Sequence, residues 1–167
     1  MHKPQSGFTL VELIIVIAIL GVLGATALPK ITSLQAHARI AKMQGILAAM
    51  KSASNIGHSL LLANNYPANY SGNPGEVSGT TDINVEGIDV VYKNGYPDAT
   101  SLFPLAGIAV ADTPTESTSV SGATVGVVTS DLNHPLCKII YTPASNTGST
   151  YVGPTFDASN LTIDNCN

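Results

Sequence analysis

Hydrophobic residues dominate one stretch near the start of the chain and then settle into a helical rhythm. From Leu13 to Pro29 no residue is charged, and the run FTLVELIIVIAILGVLGATAL from Phe8 carries only Glu12. A helix of about 20 apolar residues crosses a bilayer, so this run predicts a membrane-spanning or equally well covered helix over 8–29. Residues 30–62 then place apolar side chains at Leu34, Ile40, Met43, Ile46, Leu47, Met50, Ala53, Ile56, Leu60 and Leu61. Spacings of three and four put them on one face of an amphipathic helix, with Lys30, Arg39, Lys42, Gln44 and Lys51 on much of the rest. One helix from Phe8 to about Leu62 would be roughly 80 Å long, too long to be covered by a small domain alone.

After Leu62 the pattern changes. Residues 64–81 are rich in Asn, Gly, Pro and Ser and predict a long surface loop. Four β-rich runs follow, Gly87–Lys93, Val120–Thr129, Leu136–Thr142 and Ser149–Phe156, separated by turn residues. They predict an antiparallel sheet of about four strands on which the second half of the helix lies. The fold class is therefore α+β: a long N-terminal helix on a β head spanning 63–167.

Composition sharpens this picture. The chain of 167 residues is 44% hydrophobic and only 11% charged. That excludes a basic nucleic-acid binder and a disordered chain. Residues 8–60 carry Lys30, Arg39, Lys42 and Lys51 against Glu12, whereas residues 61–167 carry ten acids against Lys93 and Lys138. Basic residues just past an apolar span point to a cytoplasmic flank. The cysteines point the other way. Cys137 and Cys166 are the only two, and an even count in a chain with an export-like N-terminus favours a disulfide. It would contribute roughly 3–4 kcal/mol in the chain-entropy model and hold down the C-terminus. Two reduced, buried thiols are the alternative. Long hydrophilic domains translocate largely regardless of charge, so the head is placed outside the cytoplasm.

Within the helix, Gly21, Gly24 and Pro29 fall inside nine positions. Gly costs about 1 kcal/mol and Pro about 3 kcal/mol against Ala in a helix interior. They mark a place for kinking or melting, or else a surface for close helix packing in a membrane.

The short leader MHKPQSG, followed by Gly7-Phe8-Thr9-Leu10-Val11-Glu12-Leu13 and the uncharged span, resembles the prepilin signature of type IV pilins and type II secretion pseudopilins. The close resemblance covers about the first 55 residues. The segment ITSLQAHARIAKMQGILAAMKSA resembles the mannose-sensitive haemagglutinin type of pilin in particular. The resemblance implies that residues 1–7 are a leader, cut by a prepilin peptidase between Gly7 and Phe8, after which the Phe8 amine is N-methylated. It implies residence in the inner membrane with a periplasmic head. An inner-membrane assembly platform then extracts the subunit from lipid into an extracellular homopolymer serving adhesion and twitching motility. It further implies that Glu12 pairs with the Phe8 amine of a neighbouring subunit, that Gly21 and Pro29 mark a melting segment in the fibre, and that Cys137–Cys166 closes the family's C-terminal loop. A carboxylate in an apolar span costs at least about 2.5 kcal/mol at a bilayer centre, so a partner for Glu12 has a physical motive; snorkelling to the interface is the alternative.

Three functional readings follow: a major pilin; a pseudopilin or minor pilin; and a membrane-anchored periplasmic enzyme. For the enzyme, His2, His37, His58 and His134 are scattered as surface residues, and no H-E-x-x-H, G-x-S-x-G, C-x-x-C or phosphate loop occurs. No cofactor or metal is implied. Residues 82–93 open like a calcium-binding EF-hand loop but end on Lys93 where a bidentate Glu is required. Asp82, Glu86 and Asp89 could still form an irregular site; a solvated acidic loop is the favoured reading. Asn69-Tyr70-Ser71 and Asn160-Leu161-Thr162 match the simple glycosylation sequon without an acid two positions ahead.

Overall fold

The computed structural model describes residues 8–74, 83–109, 111, 113–120, 123–147 and 150–167. Helix α1 spans Leu10–Ala63, 54 residues and about 80 Å. Thr9 starts it with a capping box. The Thr9 hydroxyl oxygen accepts from the Glu12 N–H at 3.3 Å, and Glu12 Oε2 accepts from the Thr9 N–H at 3.0 Å. At the other end, the N–H of Asn64 donates to the Leu60 carbonyl, and Asn65 turns the chain out with φ +63°. Between these ends the backbone stays helical through Gly21, Gly24 and Pro29. Pro29 lacks the N–H that would reach the Ala25 carbonyl. One turn earlier, the Thr26 hydroxyl donates to the Leu23 carbonyl at 2.9 Å. The composition-based weak point is thus an intact helix in this chain.

The head begins with two small hairpins. β1 (Asn84–Val85) pairs with β2 (Ile88–Asp89), and β3 (Tyr92–Lys93) pairs with β4 (Tyr96–Pro97). Their two-residue turns, Glu86-Gly87 and Asn94-Gly95, have φ of 51°, 87°, 47° and 89°. Left-handed pairs of this kind make the hairpin turn whose twist matches the strands. The expected single strand over Gly87–Lys93 is therefore corrected: its residues belong to two separate hairpins outside the main sheet. Asp98 then caps helix α2, Ala99–Leu105, by accepting from the N–H groups of Thr100 and Ser101.

The main sheet contains β5 (Thr115–Val120), β6 (Ala123–Thr129), β7 (Lys138–Thr142) and β10 (Thr155–Asp157), antiparallel in the order β10-β7-β6-β5. β8 (Ser145–Thr147) and β9 (Thr150–Val152) form a further hairpin. Four antiparallel strands against one long helix is the α+β architecture expected from the sequence. The expected strand over Val120–Thr129 is β6 with the end of β5, and Ser149–Phe156 divides into β9 and β10.

The core joins helix and sheet through alternation on both sides. Ile139 and Tyr141 of β7 and Val128 of β6 point inward, against Met43, Met50 and Ala53 of α1 and Leu102 and Phe103 of α2. A smaller cluster of Leu61, Tyr66, Ile83, Val90 and Tyr92 covers the upper end of the helix. Close approach fixes both helices. A Cβ at Gly57 would collide with the Pro97 ring, and one at Gly126 would lie 2.7 Å from the Ala99 Cβ. The inward face of α1 differs from the expected one at two positions: Leu34 and Ile56 are exposed, while Ala36 is buried.

Candidate functional site

The first third of α1, from Leu10 to Ala27, has no buried residue and is long and apolar enough to cross a membrane. Phe8, Leu10, Val11, Leu13 and the aliphatic residues that follow are all exposed. No surface of the head covers them, so this segment needs lipid or other protein around it. Its charged group, Glu12, sits in the first helical turn, where a carboxylate favours the positive end of the helix dipole. The Thr9-Leu10-Val11-Glu12 spacing is a capping-box signature, a structural role for Glu12 that the reading of the span alone misses. Phe8 lies just ahead of the cap. Gly7 and the rest of the leader lie outside the described residues. Gly21 falls on the exposed span; Pro29 lies in the helical backbone.

The base of the head is fastened to α1 at the level where the apolar span ends. Cys137 and Cys166 form a disulfide buried against Ala36 and Met43. Arg39 donates from Nε to Asp131 Oδ2 at 3.2 Å and from Nη1 to the Cys166 carbonyl at 2.9 Å. One turn on, Lys42 Nζ donates to the Ser130 carbonyl at 3.1 Å. The His134 ring donates from Nδ1 to Asp131 Oδ1 at 2.6 Å. Partial burial pushes the Asp131 carboxyl up. The His134 ring, the Asn133 N–H and the charges of His134 and Arg39 more than offset this and hold it below its ordinary value. Arg39 thus clamps the C-terminal loop, while Lys42, at an exposed helix position, holds the turn that follows β6. Sequence offered a hint only in their spacing of three, on a helix side bordering buried Met43.

Two histidines expected at the surface have structural partners. His134 belongs to the clamp, and His58 stacks on Tyr96 with centroids 4.3 Å apart while bonding the Gly95 carbonyl at 2.7 Å. Of the acidic trio near residue 86, Asp82 lies outside the described residues. Asp89 accepts from the Asn84 amide at 2.6 Å, an interaction internal to the first hairpin. Among the described residues no three His, Cys, Asp or Glu gather as metal ligands.

Residues 2–28 match the prokaryotic N-terminal methylation motif. Over 105 residues the chain is 36% identical to "Type IV major pilin protein PilE1" of Neisseria gonorrhoeae, covering 61% of this chain and 61% of that protein. Over 103 residues it is 38% identical to "Fimbrial protein" of Neisseria meningitidis serogroup A, covering 60% of this chain and 57% of that one. The chain is thus similar to type IV pilins, most specifically over its N-terminal motif. The "Type IV major alpha-pilin" of Moraxella bovis is 49% identical over 51 residues, 30% of this chain and 32% of that one. These matches span less than two thirds of the relatives' lengths. No solved structure matches this chain.

Proposed function

We propose that this protein is a type IV pilin, the major subunit of a type IV pilus, and assembles by bundling its apolar N-terminal helix segments into a fibre. The observation that carries this reading is the fully uncovered apolar first third of α1, rigidly continuous with a folded, disulfide-closed head. Relatives named major pilins support it. In this reading a prepilin peptidase cuts between Gly7 and Phe8 and the new Phe8 amine is N-methylated. The subunit waits in the inner membrane with its head in the periplasm. The inner-membrane assembly platform then moves it from lipid into the extracellular fibre, which serves adhesion and motility. Glu12 pairs with the Phe8 amine of a neighbour and sets the register. Its Oε1 is available for that pairing, because the capping contacts use Oε2. The segment from Gly21 to Pro29, helical in the isolated subunit, melts as the fibre forms. The mannose-sensitive haemagglutinin subtype is the finer assignment, supported by the stem segment from Ile31 to Ala53.

The test is the intact mass of the subunit in a cell-surface shear fraction. A mass matching Phe8–Asn167 plus one methyl and minus two hydrogens is expected. The processed chain found only in membranes would move the assignment to a pseudopilin or minor pilin. An uncut chain there would overturn the reading. Glu12→Val should still be inserted and cut but give little fibre; a normal yield would refute the register role.

A further inference from the structure

The chain contains one Asn-Gly pair, Asn94-Gly95, and it forms the two-residue turn of the β3–β4 hairpin. Four separate segments hold it. The Asn94 N–H donates to Ser71 Oγ at 2.8 Å, and the Gly95 N–H donates to the Tyr70 carbonyl at 2.7 Å. The Asn94 amide Nδ2 donates to the Ala144 carbonyl, between β7 and β8, at 2.8 Å. The Tyr151 hydroxyl of β9 reaches the Asn94 carbonyl at 3.4 Å, and His58 Nδ1 of α1 donates to the Gly95 carbonyl at 2.7 Å. Gly95 is buried, and a Cβ there would collide with the Ala68 carbonyl. With φ of +47° and +89°, the turn needs a residue that tolerates left-handed backbone at 94 and glycine at 95. Asn, Asp and Gly suit position 94, and of these only Asn brings the side-chain donor that Ala144 takes. The fold therefore demands a pair that is chemically fragile in water, because glycine has no side chain to shield its amide nitrogen.

We propose that Asn94-Gly95 is a deamidation site that the closed head protects, and that its conversion keeps an opened head from closing again. In the reaction the Gly95 nitrogen gives up its proton to solvent and attacks Asn94 Cγ. A C–N bond forms, the Cγ–Nδ2 bond breaks, and Nδ2 takes up a proton and leaves as ammonia. The product is a five-membered succinimide. Water adds to one of its two carbonyls and the ring opens to aspartate or isoaspartate, so one water is consumed and one ammonia released. The closed head blocks the first step twice. The Gly95 proton is engaged by the Tyr70 carbonyl, and the amide that must swing toward the Gly95 nitrogen is held on Ala144. Both constraints lapse when the hairpin parts from residues 70–71 and from Ala144, a local opening of the kind folded proteins undergo at a free-energy cost. Conversion removes the Asn94 donor. A carboxylate then faces the Ala144 carbonyl, two acceptors with no proton between them. Isoaspartate adds a methylene to the main chain and disturbs the Lys93↔Tyr96 register. Nothing in this device depends on the fibre reading.

The experiment uses the full chain in detergent micelles with its disulfide intact. One portion is kept native and another is held unfolded in urea, both in mildly alkaline buffer. Peptides spanning Asn94 are followed by mass, where conversion adds one mass unit, and by chromatography, which separates aspartate from isoaspartate. The native chain should convert about tenfold or more slowly than the unfolded one. Equal rates would overturn the protection, and an unfolded chain that does not convert would overturn the site. The aged chain is then freed of urea and given a protease. Converted peptide should concentrate in the digested fraction, and unconverted peptide in the surviving heads; an even distribution would overturn the block on closing. Asn94→Gly suits the turn and cannot deamidate, so ageing should cost it no refolding competence. A loss equal to that of wild type would place the damage elsewhere and overturn the proposal. Asn94→Asp made directly should lose about 4–12 °C in Tm or fail to fold, and a Tm equal to that of wild type would overturn the role of the Ala144 contact.

Discussion

Met50 and Ile56 stand six residues apart on the same helix, and replacing each with Ala separates its buried face from its exposed one. Met50 is fully buried among the side chains that join α1 to α2 and the sheet. Truncating a buried Met to Ala costs about 2–5 kcal/mol through lost burial and the cavity left behind. A midrange loss of about 3 kcal/mol corresponds to a fall in Tm of roughly 10–15 °C for a folded unit of this size. Ile56 lies on the side of α1 turned away from the core and is about half exposed. Its truncation should change monomer stability by no more than about 0.5 kcal/mol, or roughly 2 °C. The assay is thermal unfolding of the full chain in detergent micelles, followed by near-ultraviolet circular dichroism of the head tyrosines. Comparable Tm losses for the two variants would refute the assignment of faces. So would a Met50→Ala protein within 2 °C of wild type.

Three further outcomes follow from the packing. Cys137→Ser should destabilise the head by about 3–4 kcal/mol in the chain-entropy model, and limited proteolysis read by mass should then cut first near the released C-terminus; equal resistance with and without the bond would count against this. Burial pushes the Tyr92 phenol up to about 12 and raises that of Tyr141 as well, and their hydroxyls donate to the Gly57 and Pro97 carbonyls. A raised phenol stabilises the fold below its unfolded value near pH 10 and loses that contribution as pH climbs toward 12. Denaturant midpoints should therefore drop steeply above pH 10, and Tyr92→Phe should make that slope shallower; an unchanged slope would remove Tyr92 from the account. Gly126→Val should cost about 1–3 kcal/mol because its side chain enters the space of Ala99 and Phe103, whereas Gly153→Ala, with open space around it, should be close to neutral in the same melts.

The long helix was legible because its pattern is local. An uncharged run of membrane length and a spacing of three and four need no knowledge of the head. The leader motif and the cysteine pair were legible for the same reason: each is a short arrangement of residue types with few physical alternatives. The head was less legible where short elements answer to tertiary contacts. β5, with the sequence TESTSV, shows no apolar alternation, and pairing with β6 alone gives it strand geometry. Helix α2 is seven residues with an internal Pro104, too short to announce itself by period; it exists because Asp98 caps it and Leu102 and Phe103 enter the core. Gly87–Lys93 reads as one strand until the Glu86-Gly87 and Asn94-Gly95 turns divide its neighbourhood into two hairpins. Periodicity also cannot say which of two adjacent apolar positions faces inward. Ile56 and Leu34 fit the helical rhythm yet lie outside, because the Pro97 ring packs on Gly57 and it is Ala36 that enters the core. Arg39 and Lys42 show the same division. Their charge is written in the chain, but the carbonyls of Cys166 and Ser130 that they hold come from more than eighty residues away, and only folding brings them within hydrogen-bond reach.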